Sequence, residues 1–583
     1  MTAAATTNRT GTAGAAGRRW GWDSQWLMIG AALVVVALLA LVPLFFLVGE
    51  SFSSANGDAR AVARFTLEHY AAAYGDKESF RLLLNSVVYA LGTAVFAFSV
   101  GGVLAWLNER ADLPLKALSY ALAVVPLVIP GVLFTVSWIL LGSPKIGILN
   151  KLLQGLFNTD YVFFDIYSLW GMIWVEGLQY SPVAFLLMSA TFRAMDPSLE
   201  ESALMSGASL LQVARRVTFP LAMPAMAGAF LILFIRALES FEVPALLGLP
   251  VGIQVFTSAI YEALHQYPSR VGQASAYAAV LLAIAAAGIW FQSHVTARGK
   301  RFATVTGKGF RPRPMPLGPW RWVAATGVVL YFLLIVVLPF LVLAWASSQR
   351  FYSVPSWEGV RDMSWAAYQS LLARPDLAVA VRNSLLLAVS CATLVTLFTA
   401  VLAWVIHKSR APGRAVLEQL ITLPLVYPGL VLGLAIMVFY LHYGQFIYGT
   451  IWILLIAYMT RFMPYGLRYN TASMLQIHKD LEESAQMSGA SWGAIFRRVV
   501  LPLLKPGLMA GWLFVLIVSL RELSSSILLY GPDSVVVPVV IWELLAAGQF
   551  VELAALGVLL MLALLVLVLV AQWLGKRFGV KEM

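Results

Sequence analysis

Apolar residues in this chain come in long unbroken runs divided by short polar stretches, not in alternation. Twelve runs are long enough to cross a bilayer of ~30 Å as helices. They cover residues 26–48, 82–106, 118–141, 168–191, 220–241, 273–294, 322–346, 383–406, 417–441, 448–472, 503–527 and 551–574. The strands of a membrane barrel would alternate apolar and polar positions, and these runs do not. The pattern predicts an all-α polytopic membrane protein with about 12 transmembrane helices. The first run is too long for a secretory signal core and lacks a small-residue cleavage site, so it is expected to remain as an anchor. Composition agrees: of 583 residues, 60% are hydrophobic and 12% charged, against about 25% charged in soluble domains.

Charge then sets the orientation. The tail before the first span carries Arg9, Arg18 and Arg19. The stretch between the sixth and seventh spans carries Arg298, Lys300, Arg301, Lys308, Arg311, Arg313 and Arg321 with no acid among them. His407, Lys408, Arg410 and Arg414 follow the eighth span, and Lys576, Arg577 and Lys581 follow the twelfth. With twelve spans all of these fall on one side, which the positive-inside rule makes cytoplasmic, so both termini are expected inside. The 50–79 loop holds Glu50, Asp58, Glu68, Asp76 and Glu78, as an outer loop would. The net charge of +11 is read as this loop bias. No interleaving of basic and aromatic residues points to nucleic acid. The single cysteine, Cys391, lies in an apolar run and excludes an internal disulfide.

The chain repeats itself once. Asn85-Ser86 matches Asn383-Ser384, and Pro126, Pro130 and Gly131 match Pro424, Pro428 and Gly429, at an offset of 298. Further on, EESALMSGASLLQVARRVTFPLAMP (200–224) matches EESAQMSGASWGAIFRRVVLPLLKP (482–506) at an offset of 282. The first half therefore holds about 16 extra residues, placed in the outer loop around SPKIGILNKLLQGLFNTDYVFF. Six spans per half insert the same way up, which implies a pseudo-two-fold axis along the membrane normal and a pathway between the halves. The organisation reads as a tail (1–25), a first six-span repeat (26–297), a basic, Pro/Gly-rich linker expected to be flexible (298–321), a second repeat (322–575) and a short tail (576–583).

The most informative pattern is the matched pair of polar loops after the fourth and tenth spans. Asp196-Pro197 is a good helix start, with Asp480 as the expected counterpart. Glu200, Glu201, Glu482 and Glu483 fall in first turns, where negative charge suits the helix dipole. Ser202-Ala203 and Ser484-Ala485 follow, then Gly207 and Gly489, where glycine permits a sharp bend or a close backbone approach. A second short helix ends in Arg215-Arg216 or Arg497-Arg498, and Pro220 or Pro502 opens the next span. Helix, bend, helix across a membrane surface can push on a partner as a rigid body.

These residues resemble the coupling signature of binding-protein-dependent ABC importer permeases: E-A-A, three residues, G, nine residues, I, one residue, L-P. Here it reads Glu201-Ser202-Ala203, Gly207, Val217, Phe219-Pro220, and again Glu483-Ser484-Ala485, Gly489, Val499, Leu501-Pro502. Serine replaces the first alanine and valine the isoleucine in both copies, and Phe219 replaces leucine in the first. The resemblance implies the type I importer permease fold, two parallel six-helix repeats. It implies two copies of an ABC ATPase docked on the paired loops, a periplasmic substrate-binding protein, and a bacterial inner-membrane location. Fusion of both halves resembles the ferric-iron permeases, as does the stretch 519–559; fused permeases for thiamine and 2-aminoethylphosphonate are the alternatives. The chain has no GxxxxGK[ST], since Gly299-Lys300 and Gly307-Lys308 lack its other positions. ATP and magnesium are thus expected on the partner, with no cofactor on this chain and no catalytic residues.

Ionisable groups inside spans are costly and face protein or water. The fifth span and its outer end carry Arg236, Glu239 and Glu242, and the eleventh carries Arg521 and Glu522. Glu239 and Glu522 are read as related repeat positions, lining an outer gate or a transient cation site, or else pairing with neighbouring arginines. Tyr261 and Tyr530 are nearby in sequence, and a hard cation prefers such oxygen ligands. Glu176 and Arg461 lie deeper, either in interhelical contacts or facing the pathway. Glu262 and Glu543 sit at matched outer positions. No firm metal set emerges. Pro126, Pro130, Pro424 and Pro428 should bend or break the third and ninth spans. A competing class, the ion-coupled secondary transporter, also uses six plus six spans, but gives no reason for two matched docking loops.

Overall fold

The computed structural model describes residues 20–54, 56, 64–114, 116, 125–196, 198–299, 314–408 and 412–577. Outside them lie Arg9, Arg18, Arg19, Pro197, Lys300, Arg301, Lys308, Arg311, Arg313, Arg410, Lys581 and part of the third span. Among the described residues the structure is helical, with two isolated bridges as the only β pairing. Seven helices among the described residues are long and apolar enough to cross a membrane, and up to ten if each bent pair counts as one span. The twelve expected spans are thus not all simple apolar rods. Helices Leu169–Ala194 and Ile451–Met474 stand at the fourth and tenth positions. Polar side chains such as Glu176 and Gln179, or Arg461 and Arg468, interrupt their apolar runs.

The proline pairs break their spans outright. In the ninth span, Arg414–Val426 and Gly429–Tyr443 meet at 108°. Pro428 stands at the joint with ψ 136°, and Tyr427 before it is extended, as a residue preceding proline prefers to be. In the third span a short turn, Val125–Val128, precedes helix Gly131–Gly142, with Pro130 at ψ 138°. The eleventh span is bent by 72° between Trp492–Leu503 and Lys505–Leu520. A segment absent from the sequence reading, Pro244–Val251 with Phe256–His265, folds back at 70° between the fifth and sixth spans.

Among the described residues π turns precede four prolines. Ala214–Thr218 runs into Pro220, Pro244–Gly248 into Pro250, Leu333–Val337 into Pro339 and Phe496–Val500 into Pro502. The residue before each proline donates one step further back than in an α-helix, as Phe219 N–H does to Ala214 O. This widened turn makes room for a ring that would clash with the carbonyl four residues earlier.

Each half braces its first helix on the other half. Phe46, near the end of the first span, packs on Phe439 and Tyr443 at 5.2 and 5.0 Å between ring centres. Reciprocally, helix Leu338–Ser347 packs on Gly131–Gly142. The Tyr331 hydroxyl lies 2.9 Å from Ser181 Oγ, and the Tyr352 hydroxyl donates to Leu140 O at 2.7 Å. Helix Lys77–Arg110 runs along Leu169–Ala194, and Pro375–Lys408 along Ile451–Met474. The linker is not wholly free. Met315 N–H donates to Arg110 O at 2.7 Å, Asp112 N–H to Met315 O at 3.0 Å, and Leu317 N–H to Asp112 Oδ1 at 2.7 Å.

Candidate functional site

The two matched loops adopt one geometry twice. In the first, helix Ser198–Met205 turns at Gly207 (φ +84°) into Leu210–Val213. In the second, Lys479–Met487 turns at Gly489 (φ +80°) into Trp492–Ile495. A Cβ at either glycine would meet nothing within 4 Å, so the left-handed backbone, not crowding, requires glycine. Both turns close alike: Ala208 N–H donates to Ala203 O at 3.1 Å and Ala490 N–H to Ala485 O at 3.0 Å. These are the long-range bonds of a glycine-terminated helix. Ser202 and Ser484 are exposed, and their carbonyls accept from Ser206 and Ser488. Glu201 is half-buried and Glu483 exposed.

Glu200 and Glu482 turn inward, toward the protein itself. Glu200 pairs with Arg110 at 3.3 Å, both side chains 3% exposed, and accepts from the Thr218 hydroxyl at 2.5 Å. Glu482 pairs with Lys408 at 2.7 Å. Arg110 and Lys408 occupy matched places at the ends of the second and eighth spans. Each also donates to a carbonyl in the approach to the loop helix, Met195 O at 3.0 Å and Ile477 O at 3.1 Å. Asp196 caps as expected, accepting from Ser198 N–H at 2.9 Å. This bond and that from the Ser198 side chain hold its carboxyl below the usual range. Asp480 is not its counterpart. His478 flanks the second helix without a side-chain cap, and Asp480 lies inside the first turn, paired with His478 at 3.1 Å.

Deeper in the molecule the polar groups form clusters linked through Glu242, which lies within electrostatic reach of Glu176, Glu522, Arg521 and Arg461. Arg236 lies 3.8 Å from Glu239 and donates to the Tyr465 hydroxyl at 2.7 Å, joining the fifth span to the tenth. Arg461 pairs with Glu522 at 2.6 Å, and Glu522 accepts from Ser525 N–H at 2.9 Å. Glu176 is buried among Tyr89, Tyr180 and Ser240, while the ion pair of Arg461 is with Glu522. Glu239 and Glu522 are not equivalent: helix Phe219–Glu239 ends on Glu239, whereas Lys505–Leu520 ends before Arg521 and Glu522. The matched glycines that open the broken-span helices each face a charge. A Cβ at Gly131 would strike the Glu242 carboxylate, and one at Gly429 the Arg461 guanidinium. Arg521 neighbours Glu242 and Glu522.

Tyr261 and Tyr530 stay outside these clusters. Tyr261 packs on Phe241 and on Trp542 of the other half, at 5.3 and 5.6 Å, and Tyr530 donates to Glu543 at 3.1 Å. Glu262 is bonded instead by the Gln254 amide. Among the described residues no group of three or more His, Cys, Asp or Glu side chains is arranged around a metal site. Sequence reasoning missed the roles of Arg110 and Lys408, although both stand at repeat-matched positions. It also used Asn85-Ser86 and Asn383-Ser384 only as markers of the repeat. They hold the outer segments: Ser86 accepts from Phe256 N–H at 3.0 Å and Ser384 from Val537 N–H at 2.8 Å.

The family described as "Binding-protein-dependent transport system inner membrane component" matches residues 85–301 and 396–580. Among curated relatives, the chain is 25% identical over 485 residues to the Fe(3+)-transport system permease protein FbpB 2 of Haemophilus influenzae, covering 82% of this chain and 87% of that one. It is 25% identical to the ferric transport system permease protein FbpB of Actinobacillus pleuropneumoniae, covering 70% of this chain and 59% of that one. It is 26% identical to the spermidine/putrescine transport system permease protein PotC of Escherichia coli, over 38% of this chain and 82% of that one. Among solved structures, a bacterial ABC transporter that imports the acidic polysaccharide alginate matches at a TM-score of 0.37 and 19% identity, over 44% of this chain and 94% of that one.

Proposed function

Because the chain belongs to the binding-protein-dependent transport system inner membrane components, we propose that it is the fused permease subunit of an ATP-driven importer of ferric iron. As a member of that family it is an inner-membrane protein that works with a substrate-binding protein. The further reading is that both termini and both coupling loops face the cytoplasm. There the loops receive two copies of an ATPase, which supplies ATP hydrolysis and its magnesium. Closure of the ATPases would then move the two loops and switch the access of a pathway between the halves. Glu200, Glu201, Ser202, Ala203, Gly207 and Pro220 shape one loop, and Glu482, Glu483, Ser484, Ala485, Gly489 and Pro502 the other.

One observation carries the docking role. Each loop helix presents the same apolar pair outward, Leu199 and Met205 at 48% and 84% exposure, Leu481 and Met487 at 48% and 90%. Unbranched, polarisable methionine suits a surface that repacks against a partner. The iron assignment rests on the ferric-transport relatives. Glu176, Glu239, Glu242, Arg461, Arg521 and Glu522 are the groups from which a pathway or gate would be drawn.

The test is uptake of radiolabelled ferric iron in cells lacking the chain, complemented with wild type or with Gly207→Pro/Gly489→Pro. Proline is held near φ −65° and cannot take the positive φ of either turn. Uptake restored by wild type alone supports both the cargo and the loops. Unchanged uptake in the deletion strain, with no redundant iron system, discards ferric iron. In the same cells, Glu239→Gln/Glu522→Gln with unimpaired uptake at normal expression discards the gate.

A further inference from the structure

We propose that Arg110 and Lys408 are positioning residues that latch each coupling loop to the end of a long core span. The inference rests on the coupling role proposed above and assigns the route by which loop movement enters the membrane. In both halves a cation closes the span, Lys77–Arg110 or Pro375–Lys408. In both it grips the first glutamate of the loop helix and a backbone carbonyl just before that helix. Two attachments, one on each side of the helix start, fix both the position and the direction of the helix. A single contact would leave it free to pivot.

The latch draws in further elements. Glu200 also takes the hydroxyl of Thr218, in the π turn that leads into the fifth span. One carboxylate thus ties together the second span, the loop helix and the entry to the fifth span. In the second half the corresponding position is Val500, which has no hydroxyl. There the Trp404 indole N–H approaches Glu482 at 3.4 Å, and its ring stacks on Trp492 at 3.5 Å between centres. The third partner differs while the cation, the acid and the carbonyl recur. Recurrence of those three marks the core of the device. Burial makes it stiff, because a charge left unpaired there has no water to replace its partner.

The experiment uses the full chain, purified in lipid nanodiscs, and amide hydrogen exchange over both loops, which requires neither ATPase nor iron. Arg110→Gln should speed exchange over 198–205 by about tenfold or more, leaving 479–487 as in wild type. Lys408→Gln should do the reverse. Arg110→Lys should keep wild-type exchange, because lysine performs this task in the second half. Uptake in cells is the second readout, and it should fall with Arg110→Gln and return with Arg110→Lys. Unchanged exchange in both Gln variants overturns the latch. Faster exchange with wild-type uptake also overturns it, since the loop would then act without being fixed. If Gly207→Pro/Gly489→Pro spares uptake while Arg110→Gln still speeds exchange, the coupling role itself fails and the latch survives only as a structural contact. Should Arg110→Gln not fold, the Arg110→Glu/Glu200→Arg exchange serves instead: wild-type protection supports the pair, and lost protection overturns it.

Discussion

The two loop elements share a backbone and differ in what surrounds their inward glutamate. Around Glu200 the neighbours are polar and dry: Arg110 and Thr218, with the ion pair 3% exposed on both sides. Around Glu482 they are polar and aromatic: Lys408, with 9% and 13% exposure in the pair, and Trp404 stacked on Trp492 and tilted against Phe496. At the matched positions the first half has Trp106, Leu210 and Ala214. One loop is therefore held mainly by a desolvated charge pair, the other by a less deeply buried pair plus packed rings. The same position of a loop can be specified by two kinds of force, and each should fail under different changes. The interior repeats the lesson. The matched glycines Gly131 and Gly429 face an acid in one half and a guanidinium in the other, so the pseudo-symmetry of the backbone does not extend to charge.

The largest expected effect separates the two pairs. Arg110→Met leaves Glu200 charged and buried, which costs about 3–5 kcal/mol. Lys408→Met leaves a more hydrated Glu482, at about 1–2 kcal/mol. Thermal unfolding of the two purified variants reads the difference, and an equal or reversed order breaks the comparison. Next comes the interior pair of glycines. Gly429→Ala places a methyl where Arg461 now reaches Glu522, 2.6 Å away, and loss of that pair costs about 3 kcal/mol. Gly131→Ala displaces the ends of the Glu242 and Gln179 side chains, for about 1 kcal/mol. Melting temperatures, and uptake of the proposed ferric cargo, should both fall further for Gly429→Ala. A larger loss at Gly131 would mean that the Glu242 carboxylate is the more tightly held of the two.

How much of this was legible beforehand depended on how local the cause was. Gly207 and Gly489 could be read as bends because the left-handed turn is a property of the residue itself. Pro130 and Pro428 could be read as breaks for the same reason, although the 108° bend in the ninth span could not. The twelve apolar runs anticipated long helices, of which the described residues hold seven, or up to ten with bent pairs, apolar enough to cross a membrane; polar residues in the fourth and tenth hide in a count of spans. What stayed hidden is non-local. Arg110 reads as a positive-inside residue until the fold brings it to Glu200, and Ser86 as a repeat marker until it meets Phe256. Glu239 and Glu522 looked equivalent because both stand near a span end. The helix ends show one inside its helix and the other beyond it. The fold-back segment Pro244–His265 escaped because neither of its pieces is long enough to be read as a span.

A smaller effect tests the aromatic half alone. Trp492→Leu gives the second loop the residue found at the matched position of the first. The Trp404–Trp492 stack contributes about 1 kcal/mol beyond the area it buries, so hydrogen exchange over 479–495 should quicken about fivefold. Exchange over 198–213 should not change. If both loops loosen together, the elements are coupled through the core and cannot be treated as separately held.

The smallest effect comes from pH, and it should appear on one loop only. Asp196 is half-buried, and the Ser198 N–H and side chain hold its carboxyl below the ordinary value. A group with a lowered folded-state pKa stabilises above its unfolded value and loses that contribution as pH falls through the folded value. The start of helix Ser198–Met205 should therefore fray as pH drops through and below the usual carboxylate range. Helix Lys479–Met487 has His478 in the flanking place and no side-chain cap to lose. Backbone amide exchange at Ser198, corrected for the intrinsic pH dependence, should rise in acid in wild type. In Asp196→Asn it should be flat, because an amide oxygen still accepts the bond without titrating. A pH response that persists in Asp196→Asn would assign the fraying to another group and remove this difference between the two loops.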